Sequence, residues 1–151
     1  MTLLKLDTSV YNIETRQGTD GKAYIMEVSP RGGGNRLSEV LEMATGTKLI
    51  SNAVRAAVGM EVDEMADPDY KGHWAEIILH SDSDGKFKEL WIAPELESSV
   101  AQIDLWVKEG DKVERFSGAN KAIGTLVMNF SDRATTERCM AEHDWYKVVV
   151  E

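Results

Sequence analysis

The ten residues from Glu27 to Arg36 combine groups that suit metal ions and phosphates. They read EVSPRGGGNR, with a carboxylate two residues before a hydroxyl, then a proline, an arginine and three consecutive glycines. Carboxylate oxygens bind magnesium, guanidinium groups pair with phosphate oxygens, and a glycine-rich turn can present backbone N–H groups to an anion. The stretch therefore suits metal or phosphate chemistry if neighbouring elements bring further ligands close to it.

The residues before and within this stretch predict a β-hairpin. The segments VYNIETRQ and KAYIMEVS alternate apolar and polar residues around Asp20-Gly21, a strong two-residue turn signal. With that turn, the numbers of every cross-strand pair sum to 41, and Glu14 faces Glu27. Directly opposed carboxylates, with Cβ atoms roughly 4.5 to 5.5 Å apart, repel each other. A divalent cation such as magnesium is expected to neutralise the pair.

Further polar side chains are expected on the face that carries the two glutamates. Because strand side chains alternate between faces, this face should also carry Asn12, Arg16, Ser29 and Arg31. The alternative is a solvated hairpin face on which the glutamates align without a function, since a change in turn length shifts the register.

Two helices are predicted after the glycines. In the first, apolar residues recur at helical spacing between a cap at Asn35 and a stop at Gly46, and in the second they do so between Thr47 and Gly59. The glycines do not match the spacing of a P-loop or of a dinucleotide-binding turn. A flexible connector before the first helix is therefore the alternative to an anion-binding turn.

Composition restricts the partners and the location. The chain has 17 basic and 26 acidic residues and a net charge of -9, which argues against a nucleic acid or an anionic membrane as the main partner. Cys139 is the only cysteine, so no internal disulfide forms, and a cytoplasmic location and a structural role for this thiol are expected. Neither a signal peptide nor a membrane span is expected.

The rest of the chain is predicted to be rich in strands. An acidic connector covers residues 60–72, and residues 73–151 alternate strand-like segments with one helix, SDRATTERCMAEH. A hairpin turn is expected at SDSDGK, residues 81–86, and the four tryptophans are expected in the core. The expected fold class is α+β, with a mainly antiparallel sheet and packed helices in three parts: 1–59, 60–72 and 73–151.

Residues 9–59 resemble the closing part of the catalytic core of the ATP-grasp ligases, particularly the carbamoyl-phosphate-synthase type and the carboxylate-amine ligases. In that family a strand bearing Glu or Gln precedes a second strand that ends in a Glu-x-Asn-Pro-Arg-like motif, followed by a helix and an Ala-Thr-Gly-like turn. The matching positions here are Glu14, Glu27, Ser29, Pro30, Arg31 and Ala44-Thr45-Gly46.

The resemblance implies a mechanism in which ATP phosphorylates a carboxylate and an amine then displaces the phosphate. Glu14, Glu27 and Ser29 would hold Mg²⁺ or Mn²⁺ against the ATP phosphates, and Arg31 would stabilise the phosphoryl charge. Ser29 departs from the asparagine usual in the family. The other candidate residues, for cofactor and acceptor-substrate binding, are Asn12, Gly32, Gly33, Gly34 and Asn35.

The family's lysine-bearing strand and covering loop have no counterpart in the ten residues that precede the first predicted strand. We therefore expect the C-terminal part of a larger ligase, inactive by itself, whose complete enzyme takes ATP and a small carboxylate or amine substrate. The alternative is a non-catalytic binding or assembly module. The resemblance leaves homo-oligomerisation open.

Overall fold

The structure is a computed structural model that describes residues 9–64 and 67–151. Residues 1–8 of the predicted first part and 65–66 of the connector lie outside the described residues. The chain divides into two compact units, the first ending at Tyr70 and the second beginning at Lys71. Helices and antiparallel strands occur in both units, as the predicted α+β class requires. Within the described residues, no helix is both long enough and apolar enough to cross a membrane.

The first unit contains a hairpin of β1, Asn12–Gln17, and β2, Ala23–Ser29. Its turn differs from the predicted one. The Gly18 N–H donates to the Lys22 carbonyl at 2.8 Å, and the Gly21 N–H donates to the Gly18 carbonyl at 3.0 Å. Three residues, 19–21, therefore form the loop, and Gly21 has a positive φ of 78°. This geometry is the three-residue hairpin loop, in which glycine favours the left-handed position.

Two helices follow, α1 at Leu37–Thr45 and α2 at Leu49–Ala57. Gly46 ends α1 as predicted, with φ 76° and its N–H donating to the Glu42 carbonyl at 2.7 Å. The predicted cap at Asn35 is wrong, because the N-cap position belongs to Arg36 and Asn35 takes a φ of 53°. A positive φ is tolerated by asparagine better than by most residues, so Asn35 turns the chain here instead of capping the helix.

The second unit contains two three-stranded antiparallel sheets, one α-helix and two short 3-10 helices, Pro94–Ser99 and Ala119–Lys121. The sheet orders are β3-β7-β5 and β6-β4-β8, and α3 lies between β7 and β8 in sequence. The bounds are β3 His73–Leu79, β4 Gly85–Ile92, β5 Val100–Leu105, β6 Lys112–Val113, β7 Gly124–Phe130, α3 Arg133–Ala141 and β8 Tyr146–Val150.

The predicted hairpin turn at SDSDGK is wrong. The strand before it, β3, pairs with β7, whereas the strand after it, β4, pairs with β6 and β8. The segment instead crosses from one sheet to the other around Ser81, which is fully buried. The Ser81 hydroxyl donates to the Ser83 carbonyl at 2.6 Å, and the Ser81 carbonyl accepts from the Phe116 N–H at 2.9 Å. These bonds satisfy the buried polar groups of the crossing segment.

The core of the second unit is built by both sheets and α3. Its fully buried side chains include Leu79, Leu126, Phe130 and Cys139. The expected structural role of Cys139 fits this position, and burial raises the pKa of its thiol. Of the tryptophans, Trp145 is buried and its indole N–H donates to the Cys139 carbonyl at 2.7 Å.

Two tryptophans do not follow the predicted placement in the core. Trp91 is 43% exposed and Trp106 is 57% exposed. Trp91 falls on the exposed face of β4, so side-chain alternation overrides the general tendency of tryptophan to be buried. Trp106 follows the last residue of β5, Leu105.

Candidate functional site

Glu14 and Glu27 are direct partners across the β1–β2 pair, as predicted. Their pairing depends on an irregularity beside them. The two residue numbers of each cross-strand pair sum to 40 between the loop and the Thr15–Ile25 pair. A β-bulge between Glu14 and Thr15 changes this sum to 41 for the pairs beyond it. The bulge thus offsets the extra residue in the loop. Bulges re-aim side chains and are common next to active sites.

Four polar side chains lie together at the open end of the hairpin. Asn12 lies opposite Ser29, one pleat from the Glu14–Glu27 pair, so all four share a face. We call these four residues the hairpin site. Both glutamates are exposed, and the Ser29 hydroxyl donates a hydrogen bond to the Glu27 carboxylate. The bond orients Glu27 from its own strand.

The donors of the hairpin site fit a hard cation. They are two carboxylates, a hydroxyl and an amide, and Mg²⁺ prefers oxygen ligands and commonly uses one or two carboxylates besides waters and phosphate oxygens. In residues 9–64 and 67–151, no group of three or more His, Cys, Asp or Glu side chains is close enough to hold a metal ion. A Mg²⁺ ion at the hairpin site would take waters or phosphate oxygens as its remaining ligands.

Arg31 and Arg16 lie on either side of the hairpin site in sequence, Arg31 after β2 and Arg16 within β1. The Arg31 backbone N–H donates to the Ser29 carbonyl at 2.9 Å, and its guanidinium Nη1 donates to the Gly32 carbonyl at 2.8 Å. Arg31 is exposed, and in this conformation its side chain caps its own loop. Arg16 lies opposite Tyr24, in the register that the three-residue loop sets.

A cleft of about 310 Å³ lies beside the glycine loop. Its lining comes from the loop, both helices and the residues before β1: Val10, Gly32, Gly33, Asn35, Arg36, Ser38, Glu39, Leu49, Ile50, Ala53 and Val54. Of the predicted acceptor-binding residues, Gly32, Gly33 and Asn35 line this cleft, whereas Gly34 does not. We call it the loop cleft.

The glycines of the loop cleft pack against the first turn of α1. A Cβ atom on Gly32 would lie 2.7 Å from Ser38 Oγ, and one on Gly33 would lie 2.3 Å from Leu37 Cδ2. Both neighbours are ends of side chains, and Leu37 is 41% exposed, so each can turn away. A Cβ atom on Gly34 would have no other atom within 4 Å. Gly32 and Gly33 thus allow the loop to lie close to α1, and replacing either should cost little stability because the neighbouring side chain can move.

The structure separates the predicted site residues into two groups. Asn12, Glu14, Glu27 and Ser29 form the hairpin site, and the described lining of the loop cleft contains none of them. Sequence reasoning missed Arg36 and Glu39, which form an ion pair at the N-terminus of α1 and line the cleft. Their i, i+3 spacing on a predicted helix was the signal that could have identified them.

No protein-family model and no curated protein matches the sequence. Solved structures, however, share the fold. Phosphoribosylglycinamide synthetase from Anaerococcus prevotii aligns with a TM-score of 0.73 at 16% identity, over 99% of this chain and 39% of that one. L-amino acid ligase from Bacillus licheniformis aligns with a TM-score of 0.71 at 16% identity, over 92% and 35%.

A third structure widens the comparison. Biotin carboxylase from Campylobacter jejuni, solved as a β,γ-ATP complex, aligns with a TM-score of 0.62 at 18% identity, over 91% of this chain and 31% of that one. The chain thus spans between 31% and 39% of the length of the three structures. This likeness confirms, at the level of the fold, the resemblance of residues 9–59: the chain has the fold of part of an ATP-grasp ligase.

Proposed function

We propose that this chain supplies the metal-binding and acceptor-substrate part of an ATP-grasp ligase, which activates a carboxylate as an acyl phosphate for attack by an amine. The observation that carries the proposal is the direct opposition of Glu14 and Glu27 on an exposed strand face. Like charges in that position destabilise a hairpin, so their presence is explained by a cation that binds both.

In this proposal Glu14, Glu27 and Ser29 hold Mg²⁺ or Mn²⁺, and Asn12 adds a neutral amide beside them. Bound magnesium would neutralise charge on the ATP phosphates, and ATP would supply the phosphoryl group. The Ser29 hydroxyl, which donates to Glu27, fixes the direction of that carboxylate. A serine reaches less far than the asparagine usual in the family, so the hydroxyl acts as an orienting group as well as a ligand.

Arg31 is assigned to the transferred phosphoryl group. A guanidinium pairs bidentately with phosphate oxygens, which makes arginine suited to this role. Its present bond to the Gly32 carbonyl is a single neutral-acceptor bond on the surface, so it is easily exchanged for a charged partner. Gly32, Gly33 and Asn35 line the loop cleft, and we assign that cleft to the acceptor substrate.

The chain by itself is proposed to be catalytically inactive. Phosphoryl transfer depends on positioning and charge stabilisation, and both need the triphosphate to be held from two sides. The hairpin site provides two carboxylates on an exposed face, and the chain matches only 31% to 39% of the length of its structural neighbours. A site of that kind leaves a cation most of its waters, so binding is expected to be weak.

A non-catalytic binding or assembly module is the second candidate. It is favoured by the absence of the hairpin-site residues from the described lining of the loop cleft, since a ligase must bring the metal and the acceptor to one reacting centre. The two candidates differ in what the glutamates do. In a module without chemistry their removal affects hairpin stability alone.

Activity measurements separate the candidates. In a protein that joins this chain to the remaining ATP-grasp elements, Glu27→Ala is expected to reduce ADP release severely, while Glu95→Ala, at an exposed position in the 3-10 turn Pro94–Ser99, leaves it unchanged. Equal rates for the two variants would contradict the ligase assignment.

The second measurement uses the chain alone with saturating Mg-ATP and a panel of amino acids. No ADP release is expected. Release that Glu27→Ala abolishes would show that these 151 residues hold a complete nucleotide site, and the half-site proposal would be wrong.

A further inference from the structure

The second helix of the first unit presents its apolar side to solvent. Ile50, Val54 and Val58 are 46%, 59% and 65% exposed, and Ala53 and Ala57 are exposed as well. The spacing of these five residues, i, i+3, i+4, i+7 and i+8, places them on one face of α2 and of the residue that follows it. We call these five residues the α2 stripe.

Polar side chains occupy the opposite face of the same helix. Asn52 is buried, and its side-chain oxygen accepts a hydrogen bond from the Asp63 backbone N–H at 3.1 Å. Arg55 is half-buried, and its guanidinium donates to Asp63 Oδ1 at 2.8 Å. A helix at the surface of a globular protein normally buries its apolar face and exposes its polar face. The reversed arrangement of α2 indicates that its apolar face has a partner.

The first unit lacks the core that such a partner would supply. Among its described residues, Ala44 is the one buried apolar side chain. A two-stranded hairpin is at best marginally stable by itself, and ordering two helices beside it costs conformational entropy. Burial of the α2 stripe would add apolar contacts that offset this cost.

The residues that precede β1 reach this surface. Val10 is half-buried and lines the loop cleft together with Ile50, Ala53 and Val54 of the α2 stripe. Residues 1–8, which lie outside the described residues, end two positions before Val10 and read MTLLKLDT. Four of these eight residues are apolar, and the charges of the one lysine and the one aspartate cancel. The composition of this segment therefore suits a surface of isoleucine, valine and alanine.

The length of the segment is sufficient to cover the α2 stripe. Eight residues in an extended chain span about 26 to 29 Å, whereas a nine-residue helix is about 14 Å long. A second copy of the chain is a less favourable partner, because each copy carries a net charge of -9 and two copies repel each other.

We propose that the α2 stripe is the docking surface for residues 1–8, whose three leucines cover Ile50, Val54 and Val58. The segment thereby completes the packing of the first unit and fixes the direction in which the chain enters β1, the strand that carries Glu14. The proposal does not rest on the ligase assignment, because packing alone carries it. A failed activity test of Glu27→Ala would leave it standing.

Methyl NMR of the whole chain tests the contact directly. With labelled isoleucine, leucine and valine methyl groups, nuclear Overhauser cross peaks are expected between leucines of the segment and the α2 stripe. The leucines are Leu3, Leu4 and Leu6. A mixture of labelled and unlabelled chains identifies contacts between copies. Cross peaks that arise between copies, or an α2 stripe without cross peaks to these leucines, would overturn the proposal.

Serine variants measure what the contact contributes. Replacing the three leucines together, Leu3→Ser, Leu4→Ser and Leu6→Ser, should accelerate hydrogen exchange of the α2 amides by about tenfold or more. Lys5→Ser is the matched control in the same segment and should leave the exchange unchanged. The second unit has its own core, so the exchange of its amides reports whether each variant is otherwise folded. Equal exchange in the leucine variant and the original chain would contradict docking.

A double-mutant cycle shows whether the leucines act on the α2 stripe. In an uncovered helix Val54→Ser changes an exposed side chain and should have little effect. If the segment covers Val54, the substitution accelerates α2 exchange in the original chain but adds little in the leucine variant. Ile25→Ser, at a 66% exposed position on β2, is the control and should not be coupled to the leucines. Additive effects of Val54→Ser and the leucine substitutions would overturn the proposal.

Discussion

Glu14 lies directly opposite Glu27 because two irregularities of the hairpin cancel each other. The three-residue loop that ends at Gly21 moves the register by one residue, and the bulge between Glu14 and Thr15 moves it back. Without the bulge, Glu14 would face Met26, and the two carboxylates would lie on opposite faces. The backbone thus holds together two like charges that electrostatics alone would separate.

The first prediction concerns the cost of that pairing. In the absence of divalent cations, Glu14→Gln should stabilise the hairpin by about 0.2 to 1 kcal/mol, because one of two opposed charges is removed. Native-state hydrogen exchange of the β1 and β2 amides in the presence of a chelator measures this change. With saturating Mg²⁺ the order should reverse, since only the original pair gains from the cation.

Glu89→Gln is the control for this effect. Glu89 is an exposed strand glutamate whose cross-strand partner is Val149, so it has no opposed carboxylate. Its replacement should change hydrogen exchange neither with nor without magnesium. A stabilisation equal to that of Glu14→Gln would mean that general charge reduction, and not the pairing, is responsible.

The second prediction concerns the contact between β7 and β5. A Cβ atom at Gly124 would lie 2.4 Å from the Asp104 carbonyl oxygen and 3.1 Å from Leu105 Cα. These are backbone atoms of the neighbouring strand and cannot rotate away, so Gly124→Ala should lower the free energy of unfolding of the second unit by about 1 to 3 kcal/mol. Denaturant unfolding followed by the fluorescence of buried Trp145 measures it.

Gly118→Ala provides the comparison. Its nearest contact would be Asn120 Oδ1 at 3.3 Å, and its backbone is extended, with φ 167°. The substitution should have little effect on unfolding. If both alanine variants were equally stable, the close approach of β5 to Gly124 would be refuted.

The third prediction is a pH dependence that comes from the start of α3. The Asp132 carboxylate accepts hydrogen bonds from the Thr135 N–H at 2.8 Å and from the hydroxyls of Ser131 and Thr135, which lowers its pKa below 3.8. A lowered pKa in the folded state means that the carboxylate stabilises the fold above its ordinary pKa of 3.8. That stabilisation is lost as the pH falls through the lower, folded-state value.

Thermal unfolding of Asp132→Ala and Asp132→Asn over the range from pH 7 to pH 2 checks this sign. The alanine variant should melt below the original protein at pH 7, and the difference should shrink at the acid end. The asparagine variant keeps the capping oxygen but cannot titrate, so its loss at pH 7 should be smaller. A difference that grows on acidification would mean that the Asp132 carboxylate does not stabilise the start of α3.

The types of most elements could be predicted from the sequence, because alternation and helical spacing are local signals. β7 and α3 are examples, since the run from Gly124 to Phe130 and the following Asp132 cap need no distant partner to be identified. The partners of strands could not be predicted in the same way. SDSDGK has the composition of a hairpin turn, yet the burial of Ser81 makes it a crossing between sheets.

In the candidate site, too, the residues could be predicted from the sequence but their geometry could not. The opposition of Glu14 and Glu27 was predicted with an incorrect loop and without the bulge, so the residue pair was right although the turn was wrong. The direction of Arg31 toward the Gly32 carbonyl had no local signal, because rotation about its side-chain bonds is decided by neighbouring groups in space.

The most direct test of the central claim is a Mn²⁺ titration of the whole chain, followed by paramagnetic broadening of its amide NMR signals. Mn²⁺ accepts the same oxygen ligands as Mg²⁺. We predict that signals of residues 12–14 and 27–29 broaden first, that Glu27→Gln removes this broadening, and that Glu89→Gln leaves it intact. Broadening that starts in the acidic connector, or that persists at the hairpin in Glu27→Gln, would contradict a cation site formed by Glu14 and Glu27.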